Sequence, residues 1–175
     1  MAGDELWDLT DAEGIPVGRT HRRADPAFPA GLFHVVASVC VVRDDGRVLV
    51  TQRAAGKDHP LAWEFPAGSA LAGETSRQAA ARELAEEAGV RADAAALELV
   101  VRIVEQQALF DLYVARAAED PPLALDPDEV VDAAWVRLDE VWRRCEDGRM
   151  AQPWIRRLAV HGEALAEAVE RPSRP

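Results

Sequence analysis

At 175 residues with 49% hydrophobic letters, the chain can bury one sizeable core and does not need a second domain. A formal net charge of −11 opposes attraction to nucleic acid polymers and anionic membrane surfaces, so a phosphorylated partner has to be small and drawn in by local positive charge. Apolar runs long enough to span a membrane are absent, and the start Met-Ala-Gly-Asp-Glu-Leu-Trp has neither a basic nor an apolar signal region, which leads to the expectation of a soluble, cytoplasmic protein.

In chain order, residues 5–10 and 15–21 flank Asp11-Ala12-Glu13-Gly14 and read as an N-terminal β-hairpin over 5–21. A connecting loop covers 22–32. The β-branched runs 33–42 and 48–53 surround Asp44-Asp45-Gly46, a second hairpin signal. Within the first run Cys40 reads as a buried strand residue, and with Cys145 it lacks metal-ligand spacing. His34, at the start of that run, reads as a residue satisfying a core hydrogen bond. A loop over 54–61 carries Lys57, the only lysine beside 19 arginines, and His59. The short extended piece 62–65 follows, where Trp63 and Phe65 bracket Glu64 and read as core aromatics.

The segment 68–90 predicts a capped helix with a loop on each side. Thr75 can accept a hydrogen bond at the N-terminus with Gln78 completing a capping box, and Gly89 can take the left-handed turn that ends the helix. At about 100° per residue, Glu83, Glu86 and Glu87 fall at roughly 0°, 300° and 40°, on one arc. Carboxylates so spaced repel one another, and the cluster makes physical sense with a cation in front of it. Ala81, Leu84, Ala85 and Ala88 are expected on a separate face that lies against a sheet.

Strands are expected over 97–105 and 109–117, then a Pro-rich loop over 118–130 and a strand over 131–136. Helices are expected over 138–145 and, opened by Pro153, over 153–170. The reading is one domain over 1–170, with its core at about 33–145 and a disordered tail over 171–175.

The run Gly68, Glu74, Arg82, Glu83, Leu84, Glu86, Glu87, Gly89, Val90 fits G-x5-E-x7-R-E-U-x-E-E-x-G-U, with U a bulky aliphatic residue, at every defined position. This resembles the Nudix box, and the likeness of architecture extends from about Phe33 to Cys145. The hairpin followed by His34 resembles, more weakly, the subgroup related to isopentenyl-diphosphate isomerase. The resemblance implies an α/β Nudix fold, a mixed β-sheet sandwiched between α-helices, here with the N-terminal β-hairpin.

It further implies an Mg²⁺-dependent (or Mn²⁺-dependent) pyrophosphohydrolase that cleaves a nucleoside diphosphate linked to another moiety, or a similar organic diphosphate. Carried over by position, Glu83 and Glu87 are the expected metal ligands, Glu86 shares metal binding or water activation, and Ala67 supplies a backbone carbonyl. Arg82 is expected to pair with a carboxylate and fix its orientation, and Glu74 to brace the loop. Glu129 is the candidate further acid for catalysis, against a reading as a solvated loop acid, with Glu105 a weaker candidate. Arg53 is the candidate substrate contact, and Lys57 and His59 stand beside it. A homodimer is open.

Two alternatives stay in view. An isomerase of this architecture needs a cysteine in the segment aligning with Trp63 to Gly68, which here reads Trp-Glu-Phe-Pro-Ala-Gly. A noncatalytic nucleotide-binding module typically loses box carboxylates, which this chain retains.

Overall fold

The computed structural model describes residues 4–117 and 121–172. Among the described residues nine strands and three helices follow one another: β1 (Leu6–Thr10), β2 (Pro16–Arg22), β3 (His34–Arg43), β4 (Val48–Arg53), β5 (Trp63–Glu64), β6 (Ala67–Ser69), α1 (Ser76–Ala88), β7 (Glu98–Val104), β8 (Ala108–Ala117), β9 (Val130–Val136), α2 (Leu138–Glu146) and α3 (Gln152–Glu170). A short 3-10 turn, Ala94–Ala96, links α1 to β7.

Seven strands form a mixed sheet. Its path runs β5-β4-β3-β8-β7, with β6 also paired to β3 and β9 to β4. The central pair β3 and β8 is parallel over ten residue pairs, from His34 opposite Ala108 to Arg43 opposite Ala117, and the other ladders are antiparallel. The burial of β8 is continuous from Ala108 to Ala115, as expected for a strand covered on both faces.

Alternation along β3 sends its side chains to two separate cores. Ala37, Val39 and Val41 join Leu49, Tyr113 and the α1 residues Ala79, Ala80, Leu84 and Ala88. Cys40 and Val42 join Val48, Val50, Phe110, Leu112 and residues of α2 and α3, where Trp154 meets Phe65 and Phe110 edge to face at 5.0 and 5.4 Å. The sheet is thus sandwiched between helices. Trp63 and Phe65 are core residues, with 6% and 0% exposure.

The hairpin β1–β2 forms its own two-stranded sheet and docks at the start of β3. Thr10 and Phe33 exchange backbone hydrogen bonds of 2.8 and 2.9 Å, and Trp7 stacks on His34 with ring centroids 4.1 Å apart. His34 departs from its expected role. Its Nδ1 is buried without a hydrogen-bond partner, because the ring is held by stacking between aromatic neighbours and not by a polar contact.

Helix α3 ends at Glu170, with Arg171 and Pro172 exposed beyond it; the expectation of a disordered end for 173–175 lies outside the described residues, as does part of the expected loop, 118–120.

Candidate active site

Helix α1 is positioned by its ends. The Thr75 hydroxyl accepts from the Gln78 N–H while the Gln78 side chain accepts from the Thr75 N–H, and Gly89 closes the helix at φ 72° with its N–H on the Ala85 carbonyl. The face toward the sheet is Ala79, Ala80, Leu84, Glu87 and Ala88, which corrects the expected face: Ala85 is exposed and Ala81 only half-buried. The acidic and packing arcs therefore overlap at Glu87. Glu86 has a side-chain exposure of 57%, Glu83 17%, and Glu87 is 7% exposed overall. One helix presents three carboxylates at graded depth.

These acids line a cleft of about 480 Å³. Around it stand Ala67, Gly68 and Ser69 from β6, Arg82, Glu83, Glu86 and Glu87 from α1, and Arg53 and Lys57 from the end of β4 and the loop behind it. Asp126 and Glu129 come from the loop before β9, and Glu5 and Arg23 from the base of the hairpin. The expected site residues Arg53, Ala67, Arg82, Glu83, Glu86, Glu87 and Glu129 thus share one cavity. Glu105 does not line it, being bonded to Arg157 of α3 at 2.8 and 2.9 Å, and His59 is an exposed loop residue.

Arg82 ties the loop to the helix. Its guanidinium donates to both Glu74 oxygens at 2.8 and 3.0 Å, to the Ser69 carbonyl at 3.0 Å, to Glu83 at 2.8 Å and to Glu86 at 2.9 Å. Glu74 also accepts from the Leu71 N–H at 2.9 Å, so it braces the loop before the helix. Burial pushes the Glu74 carboxyl up, but the Arg82 and Leu71 hydrogen bonds outweigh it and hold the group below its ordinary value.

Glu83 and Glu87 are shifted the other way. Burial raises both, and Arg82 only partly offsets it at Glu83. At Glu87 the negative charges of Glu64, Glu83 and Glu129 add to burial, and Oε2 has no hydrogen-bond partner. Among the described residues no three acidic, imidazole or thiol groups already converge into a metal cage. The chemistry of the donors nevertheless fits a hard divalent cation: Arg82 offsets the burial of Glu83 only in part, and the buried Glu87 carboxylate has an unpartnered oxygen.

Three lining residues, Glu5, Arg23 and Asp126, and one buried acid behind the lining, Glu64, escape sequence reasoning in part or whole. Glu64 is 8% exposed, bonds Arg53 at 2.5 Å and raises Glu87 by its charge. Its flanking by two core aromatics was the available signal, since an acid inside a buried strand needs a partner. Glu5, Arg23 and Asp126 reach the cleft through hairpin docking and loop course, which no local pattern encodes. Arg53 faces the cleft but is committed to Glu64 and to the Asp58 carbonyl, the latter at 2.6 Å.

The NUDIX domain family model matches residues 32–158. The chain belongs to the Nudix family. A Nudix hydrolase of Listeria monocytogenes, itself uncharacterised, is 34% identical over 140 residues, covering 78% of this chain and 82% of that protein. An isopentenyl-diphosphate Delta-isomerase of Cereibacter sphaeroides is 34% identical over 151 residues, covering 79% and 84%. A Deinococcus radiodurans crystal structure superposes with a TM-score of 0.70 at 24% identity, over 97% of this chain and 100% of the other. The protein is accordingly a Nudix hydrolase with the mixed sheet and helical layers of that family, and no helix among the described residues is long and apolar enough to cross a membrane.

Proposed function

We propose that this Nudix hydrolase is an Mg²⁺-dependent pyrophosphohydrolase that cleaves the diphosphate bridge of a nucleoside diphosphate linked to another moiety, or of a similar organic diphosphate. The observation that carries the reading is the unpartnered Glu87 Oε2, buried beside Glu83 in a cleft that also holds arginine and lysine side chains. Glu83, Glu87 and the Ala67 carbonyl would hold the metal, with Glu86 at the exposed end of the acidic row. A bound divalent ion would supply the charge that neutralises a diphosphate and activates water.

The protein's own residues do the rest. Arg82 holds Glu83 and Glu86 in fixed orientation. Glu129 stands in the same cleft as the candidate base for the attacking water. Arg23 and Lys57 lie where phosphate oxygens can be met, whereas Arg53 acts first on Glu64. Isomerisation is the alternative that relatives at 34% identity favour. Against it, neither cysteine lines the cleft; Cys40 is fully buried with its thiol pushed up by burial, and Cys145 lies in α2.

The test is a screen of organic diphosphates with Mg²⁺, with products identified and Glu83→Gln and Glu87→Gln as controls. Hydrolysis lost in both variants with the fold retained is the expected result. Undiminished hydrolysis in both, or no Mg²⁺ uptake by calorimetry with or without diphosphates, rejects the proposal.

A further inference from the structure

Among the described residues, every cation lining the cleft already holds an acid. Arg82 is bound to Glu74, Glu83 and Glu86, and Arg53 to Glu64 in an enclosed pair with side-chain exposures of 19% and 11%. Arg23 pairs with Glu5 at 2.8 Å. The fourth pair, Lys57 with Glu129, is built differently. It joins two loops through one ammonium and one carboxylate, with exposures of 27% and 40%. Beneath it the Ala54 N–H donates to the Glu129 carbonyl at 2.9 Å, so the backbones stay together whether or not the side chains do.

Resting on the preceding reading of the cleft, we propose that the Lys57–Glu129 ion pair is a latch exchanged by substrate: the entering diphosphate takes Lys57 and thereby frees the Glu129 carboxylate to accept a proton from the attacking water. An ammonium is a point charge without directional preference and transfers readily from a carboxylate to a more highly charged phosphate. Glu129 then stands unpaired within electrostatic reach of Glu87. In the step it serves, a water oxygen bonds to phosphorus and the bridging P–O bond breaks. The electron pair stays on the leaving phosphate, and the water's proton passes to Glu129. Before substrate arrives the base is neutralised, so water activation waits for the diphosphate.

Lys57 is the only lysine of the chain, so protein carrying [ζ-¹⁵N]lysine gives a single side-chain nitrogen signal, which Lys57→Arg must abolish. The signal is compared in the unsubstituted protein and Glu129→Gln, free and saturated with Mg²⁺ and imidodiphosphate, while calorimetry follows binding of the same probe. The two proteins should differ when free and coincide when saturated, because the lysine has left residue 129 in both. Coincident signals in the free proteins, or saturated signals as far apart as the free ones, overturn the latch while leaving the diphosphate site standing. If calorimetry finds no imidodiphosphate binding by either protein, the site reading itself fails and the latch with it. In turnover, Lys57→Met should raise KM by roughly tenfold or more, both alone and in the Glu129→Gln background, as expected for loss of a charged phosphate contact; an unchanged KM also overturns the proposal.

Discussion

Gly68 lies directly against the carboxylate of Glu83, and a β-carbon on Gly68 would occupy the space that the carboxylate fills. The first glycine of the box is therefore a matter of volume, since an added methyl has to displace a half-buried carboxylate held by Arg82. Gly68→Ala should lower Mg²⁺ affinity by roughly 10- to 100-fold and turnover with it. Calorimetric titration with Mg²⁺ checks this, and unaltered affinity would show that Glu83 relaxes freely.

Glu87 is costly to the fold. Its folded-state pKa is raised, so the folded metal-free protein binds this proton more tightly than the unfolded chain does. The stability that this proton contributes is present at acid pH and is lost as pH rises from the ordinary carboxylate value through the raised one. Glu87→Gln should therefore stabilise the metal-free protein near neutral pH by about 1–2 kcal/mol while abolishing turnover. Chemical denaturation from pH 5 to 8, in EDTA, should show the gain growing with pH; a destabilised variant at pH 8 contradicts the account.

Arg82 spans Glu74, Glu83, Glu86 and the Ser69 carbonyl with one planar group. Lysine keeps the charge but cannot reach these acceptors together. Arg82→Lys should cost about 1–2 kcal/mol of stability and weaken Mg²⁺ binding, measured by thermal unfolding and calorimetry. Equal behaviour of the two proteins would mean that charge alone suffices.

His34 makes the hairpin acid-sensitive. Burial, then the nearby positive charges of His21 and Arg23, lower its pKa from 6.5 to about 4. Because the folded value is depressed, the neutral ring's contribution is fully present above 6.5 and is lost as pH falls from 6.5 toward 4, up to roughly 3 kcal/mol. His34→Phe keeps a ring against Trp7 and should flatten the fall in stability between pH 6.5 and 4.5. Parallel denaturation curves at both pH values would place the acid response elsewhere.

Local chemistry made much of this legible. Thr75, Gln78 and Gly89 set the ends of α1 because capping depends on neighbours within a few residues, and the strand runs announced themselves by β-branched residues and turn glycines. The family pattern placed Arg82, Glu83, Glu86 and Glu87 on one element. Tertiary pairing was not legible. Only the alignment of Thr51 with Glu64 across β4 and β5 sets Glu64 behind Arg53, and only hairpin docking delivers Glu5 and Arg23. Depth was also hidden: the expected face took Ala81 and Ala85 for the packing alanines, whereas on the same wheel Ala80 falls about 20° from Glu87, and the sheet's contact arc takes in both.

The hairpin holds more than its own two strands. The Leu6 carbonyl accepts from the Ala72 N–H and the Asp8 carboxylate from the Gly73 N–H, both at 2.7 Å, so the loop leading into α1 hangs from the first ten residues. The segment matching the family model begins at residue 32. Trimmed to that boundary, the molecule would keep its seven-stranded sheet and the acids of α1 yet lose the strut that suspends the Glu74 loop, and a shortened form that folds well but turns over poorly would be the natural result.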